Sequence, residues 1–424
     1  MLSAEENRLM TEIGPGSRMG DLLRRYWHPI AGRDDLKEIY TMRIRLFGED
    51  LVLFKDRKGK FGLIGESCPH RRASMALGIP VDDGIRCSYH GWLINQDGVC
   101  TDQPFETERH ALHGKKAVAA YPVKELGGLL FAYMGPLPAP ELPEYDPFIL
   151  PGAIRAIGKT VIPCNWLQCM ENSADPVHTE WLHGALIEFV KEKEGAKTAT
   201  NRKHDRIAFD EIPYGFVKRR LYEGQTEDAQ DWTVGHPVIF PNMLCTGNNG
   251  GGWQQRTMQM RVPIDDENTL HLWYAVFVPP AEADVPKHLL ENVPVYEPQL
   301  LNPDGSYNLK FVDGQDIAAW VTQGKIADRT LESLGASDKG VVFYRRMLKR
   351  ELEKIERGED PIGVIRDPAD RRREIHVERG KNIHADGFRQ VIARNAVSFS
   401  PIYQDLVKVF TSVLQDGGKP MAAE

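Results

Sequence analysis

The chain has 424 residues, of which 42% are hydrophobic and 27% are charged, and its formal net charge at neutral pH is −7. This length predicts two or more domains, and the negative charge gives no support to nucleic-acid binding. No run of about 18 uninterrupted apolar residues occurs, so no membrane span is predicted. The polar start, MLSAEENRLM, lacks the basic and apolar parts of a signal peptide, and six cysteines are too few for a disulfide framework. We therefore expect a cytoplasmic protein.

The first part of the chain reads as a short helical segment followed by strands. Residues 4–27 show partial helical spacing that Gly14-Pro15-Gly16 interrupts, which predicts one or two short helices. Between residues 42 and 131, alternating apolar and polar residues and turn pairs such as Lys58-Gly59 indicate short β-strands. We assign residues 1–41 to an N-terminal helical segment.

A change of domain is expected at residues 135–152. This stretch contains six prolines, which exclude a helix interior and a central strand. We therefore predict an all-β domain at 42–150 and a second domain at 151–424. Strands and helices are segregated in the second domain, which predicts an α+β fold. Its predicted elements are strands at 236–246, 255–263 and 269–279 and helices at 315–333, 338–356 and 401–415.

Four potential metal ligands lie close together in the first domain. Cys68-Pro69-His70 is followed, after sixteen residues, by Cys87-Ser88-Tyr89-His90. Two thiolates and two imidazoles in this order can hold a Rieske-type [2Fe–2S] cluster, in which the cysteines bind one iron and the histidines the other. Zinc also accepts two cysteines and two histidines, so a structural zinc site is the alternative.

A second set of ligands follows in the segment that begins at Asp175-Pro176. A carboxylate N-cap followed by proline is a typical helix start, and we expect His178 and His183 to lie on that helix. Residues five apart are about 140° apart on a regular helix, and a π-bulge would bring the two imidazoles closer. Two imidazoles and one carboxylate form the facial triad of non-haem iron oxygenases.

The carboxylate of this triad must come from another part of the chain. Asp316 opens a predicted helix more than 100 residues downstream and is our choice, with Asp313 and Asp328 as the competitors. An ordinary helix-capping role is the alternative for Asp316.

These motifs carry a resemblance to a known family. The segments CPH…CSYHGW, NSADPVHTEWLH and QD…QGKIADRTLESLG resemble the large subunit of Rieske non-haem iron aromatic-ring-hydroxylating oxygenases. The opening GDLLRRYWHPIAG and the order of the segments resemble the phthalate dioxygenase group of that family. The resemblance covers nearly the whole chain.

The resemblance implies a fold, two cofactors and an assembly. It implies an N-terminal Rieske domain and a C-terminal helix-grip (START-like) domain, in which an antiparallel sheet wraps around a helix and holds a mononuclear Fe(II). A head-to-tail homotrimer, which some relatives stack into hexamers, would bring each cluster close to a neighbour's iron. Asp175 matches the family's bridging aspartate, which would link His90 across the interface to His178. Electrons would come from NAD(P)H through a separate reductase with flavin and iron–sulfur carriers.

The resemblance also implies the reaction. We predict an oxygenase that uses O2 to hydroxylate an aromatic compound, with a carboxylated substrate such as a phthalate or a benzoate. The first alternative is a monooxygenase that performs O- or N-demethylation or alkyl hydroxylation. A pure electron-transfer Rieske protein and a zinc-stabilised binding protein are the rivals from other classes.

Candidate substrate-binding residues are less sharply defined by the sequence. An aromatic acid would suit an arginine on a strand that lines the cavity, and Arg220 and Arg256 are the candidates. Arg219 is excluded if Arg220 faces the cavity, because successive strand residues point to opposite sides. Asn172 is a further candidate, either for substrate or for holding the iron site. His204 and His236 are possible lining residues of the cavity.

Overall fold

The computed structural model of the protein describes residues 1–106, 111–193, 195, 202–250, 253–377 and 385–413. The predicted N-terminal helices are confirmed as α1 (Ala4–Thr11) and α2 (Arg18–Leu23). Ser3 and Ser17 cap them, because each side-chain oxygen accepts an N–H from the first helical turn. No described helix is long and apolar enough to cross a membrane.

Short strands form the first domain, as the alternating pattern predicted. The strands of this part of the chain are β1 (Trp27–Gly32), β2 (Thr41–Leu46), β3 (Glu49–Lys55), β4 (Phe61–Gly65), β5 (Ile79–Val81), β6 (Gly84–Arg86), β7 (Leu93–Ile94), β8 (Cys100–Asp102), β9 (Ala120–Tyr121), β10 (Val123–Leu126) and β11 (Leu129–Tyr133). Three small sheets result, with the strand orders β1-β11-β10, β2-β3-β4-β9 and β5-β6-β7-β8. The last two of these sheets hold the loops that carry the cysteine and histidine motifs.

The proline-rich stretch contains two short elements, β12 (Glu144–Tyr145) and α3 (Asp146–Ile149). The division of the chain at this stretch stays a prediction. Within this stretch, β12 pairs with β21 (Arg372–Arg373), which lies much later in the chain.

A large sheet dominates the rest of the chain. Its order within the described residues is β14-β15-β16-β17-β18-β19-β13-β20, with antiparallel pairing except between β13 and β20. The strands are β13 (Ile154–Ile162), β14 (His204–Ile212), β15 (Gly215–Tyr222), β16 (His236–Ile239), β17 (Met243–Gly250), β18 (Trp253–Asp265), β19 (Asn268–Val278) and β20 (Val295–Tyr296). The single strand predicted at 236–246 was wrong, because Pro241 and Asn242 form a turn between β16 and β17.

Helices cover one face of this sheet, so the predicted α+β fold is confirmed. They are α4 (Trp166–Ala174), α5 (His178–Glu180), α6 (Leu186–Lys193), α7 (Gln230–Thr233), α8 (Lys287–Glu291), α9 (Val312–Thr322), α10 (Lys339–Glu356), α11 (Ala385–Ala393) and α12 (Tyr403–Thr411). The helix predicted at 315–333 is shorter than expected. It ends before Gly324, whose φ of 95° lies in the left-handed region that terminates helices. Residues 414 and 415 of the last predicted helix lie outside the described residues.

One continuous hydrophobic core extends from the N-terminal helices to the large sheet. It includes Met10 and Leu22 from the N-terminal helices, Phe131 from β11, and Met258 and Tyr274 from the large sheet. A separate apolar cluster surrounds the loops of the two cysteine motifs. The N-terminal segment therefore packs on the second domain as well as on the first.

Candidate metal centres and their surroundings

The two cysteine–histidine motifs occupy two loops with the same backbone pattern. Cys68 follows β4 and Cys87 follows β6, and both are buried. In each loop the cysteine N–H donates to the carbonyl five residues later, with N···O distances of 2.8 and 2.9 Å. In each loop the cysteine carbonyl also accepts the N–H four residues later, at 2.9 Å. Two like turns therefore present the two thiols and the two imidazoles to the same place.

The side chains in these loops suit a cluster that needs two sulfur and two nitrogen ligands. The rings of His70 and His90 lie 4.5 Å apart, centroid to centroid, and His70 stacks on Trp92 at 4.7 Å. Nδ1 of His70 is buried and has no hydrogen-bond partner among the described residues, as expected for an atom reserved for a metal. Burial and the neighbouring Cys87 raise the pKa of the Cys68 thiol to about 11, and metal binding would offset this by stabilising the thiolate.

The second motif forms two helical pieces around a turn. Asp175 lies just after the C-terminus of α4, and its Oδ1 accepts the Val177 N–H at 2.7 Å. We predicted Asp175 as the residue directly before the helix. This was wrong, because α5 begins only at His178. A π-helical segment, Trp181–Ala185, follows at once and contains His183. The predicted π-bulge is confirmed, and the ring centroids of His178 and His183 are 5.2 Å apart.

The structure brings His178, His183 and Asp316 together. Nε2 of His183 lies 3.2 Å and Nε2 of His178 lies 3.6 Å from Oδ1 of Asp316. One potential ligand atom from each residue lies within 4.8 Å of the others. Burial would raise the pKa of Asp316, but the imidazoles and an amide hydrogen bond outweigh it and hold that pKa below its ordinary value. Two neutral imidazole nitrogens and one ionised carboxylate oxygen that face a common point form a set of ligands that can bind iron(II).

Neighbouring side chains orient each of these three residues. Nδ1–H of His183 donates to Oε1 of Gln315 at 2.8 Å, and the Gln315 amide in turn donates to the Leu309 carbonyl. Asn172 donates to Oδ1 of Asp316 at 3.1 Å, so its contact in the structure is with the triad. Nδ1 of His178 faces Oδ2 of Asp175 at 3.6 Å.

The two competitors of Asp316 have other contacts. Oδ1 of Asp313 accepts the indole N–H of Trp273 at 2.6 Å and the Gln259 amide at 3.3 Å. Burial and the charge of Asp316 raise the pKa of Asp313 to about 6. Asp328 is exposed, and its side chain bonds only to nearby Thr330 among the described residues.

The two candidate arginines lie on opposite faces of the sheet. Arg220 is buried, and its Nη2 lies 2.6 Å from Nδ1 of His236. Arg256 pairs in register with Gly247, whereas Gln255, Thr257 and Gln259 of the same strand point to the other side. Those three residues line a polar cavity of about 110 Å3 that also includes Asp313. The structure therefore does not bring Arg256 to the triad side, because the register of β18 turns it away.

Other predicted lining residues are placed as follows. His204 is bonded to Glu180 of α5, with Nδ1 3.2 Å from Oε2. Arg219 faces away from Arg220 and donates to Asp210 and to the carbonyls of Trp232 and Thr233. The sequence patterns did not draw attention to two buried polar residues near these sites. Gln315 adjoins Asp316 in the chain, and Lys218 lies two residues before Arg220. Because residues two apart on a strand point to the same side, the choice of Arg220 as a cavity residue could have drawn attention to Lys218.

A Rieske-type ligand set on a small all-β lobe, together with a largely buried triad inside an α+β lobe, defines an oxygenase with two metal centres. The comparisons agree with this class. Residues 26–122 match the family model of the Rieske [2Fe-2S] domain, and residues 301–379 match the LigXa C-terminal domain like model.

Curated relatives and solved structures extend the match to most of the chain. The chain is 46% identical over 373 residues to the 5,5′-dehydrodivanillate O-demethylase oxygenase subunit of a Sphingobium species, covering 87% of this chain and 85% of that protein. It is 34% identical over 407 residues to the phthalate 4,5-dioxygenase oxygenase subunit of Pseudomonas putida, covering 86% and 89%. The structure of NdmA from Pseudomonas putida CBB5 shares the fold, with a TM-score of 0.60 at 17% identity over 80% of this chain and 94% of that chain.

The chain belongs to the Rieske non-haem iron oxygenases, and it is an enzyme of that family. Its cofactors are a Rieske [2Fe–2S] cluster and a mononuclear iron. The predicted family, fold class and cofactors are thereby confirmed.

Proposed function

We propose that the protein is the oxygenase component of an O-demethylase that acts on methoxylated aromatic acids. The observation that carries this proposal is the 46% identity, over most of both chains, to an O-demethylase oxygenase subunit. This was the alternative in the sequence analysis, and it now ranks above ring hydroxylation.

The reaction has a simple balance. The methyl carbon of an aryl methyl ether is oxidised and leaves as formaldehyde, and the product is a phenol. One oxygen atom of O2 enters the formaldehyde and the other becomes water, with two electrons and two protons supplied from outside. The mononuclear iron, when bound, supplies O2 activation. The electrons come, in this proposal, from a separate reductase that uses NAD(P)H.

We assign the metal ligands from the contacts described above. Cys68, His70, Cys87 and His90 hold the cluster, and His178, His183 and Asp316 hold the iron. The hydrogen bonds of Gln315 and Asn172 support the second assignment, because iron-binding imidazoles and carboxylates are normally oriented by such contacts. The protein further contributes burial, which keeps bulk water from the reacting carbon.

The assembly remains part of the proposal. A head-to-tail homotrimer would place the cluster of one subunit next to the iron of another, with Asp175 between His178 and the partner's cluster ligand. Two exposed aromatic residues support contact at these places, Tyr89 beside His90 with 56% of its surface exposed and Trp181 near His183 with 66%. The stacked hexamer, the cytoplasmic location and the functional division at 1–41, 42–150 and 151–424 stay predictions.

Ring dihydroxylation of a phthalate-like acid is the second candidate. The 34% identity to a phthalate 4,5-dioxygenase oxygenase subunit over 86% of this chain favours it. It would use the same metal ligands, but it would place both oxygen atoms of O2 in the product.

One experiment separates the two candidates. The purified holoenzyme, with a surrogate flavin and iron–sulfur reductase and NADH, is incubated under ¹⁸O2 with 5,5′-dehydrodivanillate or with phthalate. We expect formaldehyde from the first compound in proportion to the NADH consumed, and no dihydrodiol from the second. A dihydrodiol with two labelled oxygen atoms and no formaldehyde would replace the demethylase proposal with the dioxygenase.

A further inference from the structure

A pair of buried cationic side chains lies on the inner face of β15. Lys218 and Arg220 are two residues apart on this strand, so both side chains point to the same side. Only 4% of Lys218 and 8% of Arg220 is exposed. On the neighbouring β16, His236 pairs in register with Lys218 and contacts the Arg220 guanidinium. An Arg220 N–H donates to Nδ1 of His236, which requires a neutral imidazole and fixes the direction of the arginine.

This face of β15 is turned toward the helices of the triad. Phe209, the register partner of Lys218 on β14, packs against the position where α10 approaches the Ala174 carbonyl at the end of α4. Asp175 and His178 follow directly after Ala174. Asp175 and Asp316 both act electrostatically on Lys218. The lysine therefore lies in the part of the domain that contains the triad.

The two cations differ in how they are balanced. Oδ1 of Asp231 lies 3.8 Å from the Arg220 guanidinium. The Lys218 side chain has neither a hydrogen bond nor an ion pair with any residue in the described part of the chain. Burial, and next the charge of Arg220, lower the pKa of Lys218 to about 7. Burying an ammonium group without a partner costs free energy of folding. A natural protein retains such a group chiefly where a bound ligand supplies the missing partner.

We propose that Lys218, flanked by Arg220, determines specificity by binding an anionic oxygen of the aromatic substrate. The inference rests on the proposed function and adds the site of recognition to it. A carboxylate is the first source of such an oxygen, because it is ionised at neutral pH, and a phenolate is the second. Lys218 contacts the substrate at a distance from the reacting methyl group and takes no part in the oxidation.

A different role would produce a different kinetic result. If Lys218 served only to balance the charge of Asp175, its loss would slow electron transfer and lower kcat while leaving substrate affinity unchanged. If it binds the substrate, its loss raises Kd and KM. Kd and the split between kcat and KM therefore test the inference separately from loss of activity.

The test uses the holoenzyme and three variants. Lys218→Met removes the charge and keeps the length of the chain, Lys218→Arg keeps the charge, and Arg219→Gln is the control on the opposite face of the same strand. Binding of 5,5′-dehydrodivanillate and of its dimethyl ester, which keeps the phenols, is measured by calorimetry, and turnover by formaldehyde release. We expect Lys218→Met to weaken binding of the acid about 10- to 100-fold, as for a lost hydrogen bond to a charged group. Lys218→Arg should recover part of the loss, and Arg219→Gln should bind as the wild type does.

Each result has a stated meaning. Loss of affinity for the acid alone identifies the carboxylate, and equal loss for acid and ester identifies the phenolate; both support the inference. Equal affinity of Lys218→Met and wild type for both compounds overturns it, and so does wild-type enzyme that binds neither. Release of no formaldehyde would reject the demethylase proposal, while the ratio of binding constants would still decide the role of Lys218.

A stability measurement excludes a structural explanation. Replacing an unpaired buried charge by an apolar chain is often neutral or stabilising. Lys218→Met should therefore melt at the same temperature as the wild type or higher. A lower melting temperature with unchanged substrate affinity would identify Lys218 as a structural residue and overturn the inference.

Discussion

At the scale of single residues, the proposed iron ligands depend on their neighbours as much as on their own positions. Gln315 is buried and is held by its own hydrogen bond to the Leu309 carbonyl, so its Oε1 can accept only from a fixed direction. That direction makes His183 carry its proton on Nδ1 and leaves Nε2 as the metal-binding nitrogen. The Gln315 amide thus selects the tautomer of His183.

We predict that Gln315→Leu weakens iron binding about 10- to 100-fold, as is typical when the partner of a metal-binding histidine is removed. The measurement is iron content after dialysis against a chelator, with the visible spectrum of the cluster recorded in parallel. Gln323→Leu is the matched control, since Gln323 is exposed at the end of the same helix and its side chain bonds only to the Ala319 carbonyl within the described part of the chain. Retention of iron equal to that of the control would show that Gln315 does not orient His183.

The sequence predicted residues that a short motif contains and missed those that the tertiary structure selects. His178 and His183 could be found because five residues separate them, and Cys68 to His90 because their spacing is specific. Asp316 was chosen because it opens a predicted helix, and its place in the sequence alone could not exclude Asp313. Arg256 was misplaced because the face on which a strand residue lies depends on register, and a shift of one residue reverses it.

At the scale of elements, the close approach of α10 fixes the position of α4, the helix that precedes the segment with His178 and His183. A Cβ atom added to Gly340 would lie 2.0 Å from the Ala174 carbonyl oxygen and about 2.5 Å from the Phe209 ring. Only a glycine therefore allows the two helices to come this close. Because α4 carries Asn172 and leads into Asp175, its position affects both the proposed iron site and the proposed bridge.

We predict that Gly340→Ala destabilises the protein by about 1–3 kcal/mol, the usual cost of overpacking, and lowers iron occupancy. Gly335→Ala is the control, because its added Cβ meets nothing closer than 3.8 Å. Thermal melting and iron analysis of the two holoenzymes provide the comparison. Equal melting temperatures would mean that α10 moves away without loss.

The π-helical segment is the other element on which the site depends. Its wider turn compensates for the spacing of five residues, so that His178 and His183 lie on one side of the helix. The need for such a bulge followed from the spacing, but its exact extent, Trp181–Ala185, depends on how α5 and α6 pack.

At the scale of the whole molecule, a buried histidine links the N-terminal segment to the large-sheet part of the chain. Nε2–H of His28 donates to the Leu23 carbonyl at 2.7 Å, and its Nδ1 accepts from the Asn242 amide at 3.3 Å. The bond from Asn242 requires the neutral ring, and burial lowers the pKa of His28 to about 4.

In the unfolded chain, His28 becomes protonated as the pH falls below its ordinary pKa of 6.5. In the folded protein, His28 stays neutral until about pH 4. The unfolded state thus binds more protons in this window, so stability is lost as the pH falls. We predict that the stability advantage of wild type over His28→Gln shrinks by about 2 kcal/mol between pH 7 and pH 5. Melting curves at the two pH values measure it, with exposed His376→Gln as control. A constant difference would show that the folded protein protonates His28 at its ordinary pKa.

The route of electrons through the assembly depends on Asp175 in the proposed trimer. Its carboxylate already accepts the Val177 N–H and faces His178, so one oxygen is held locally while the side chain remains a quarter exposed for a partner's histidine. An asparagine would keep the hydrogen bond to Val177, because an amide oxygen also accepts, but would lose the charge that links two imidazoles.

We therefore predict that Asp175→Asn binds both metals normally and slows re-oxidation of the pre-reduced cluster at least about tenfold, the range for loss of such a contact. Stopped-flow absorbance of the substrate-bound holoenzyme mixed with O2 measures the rate. Asp328→Asn is the control, since Asp328 is exposed and its side chain bonds to nearby Thr330. An unchanged rate with full metal content would mean that electrons reach the iron without passing Asp175, and the head-to-tail contact would have to be sought at another surface.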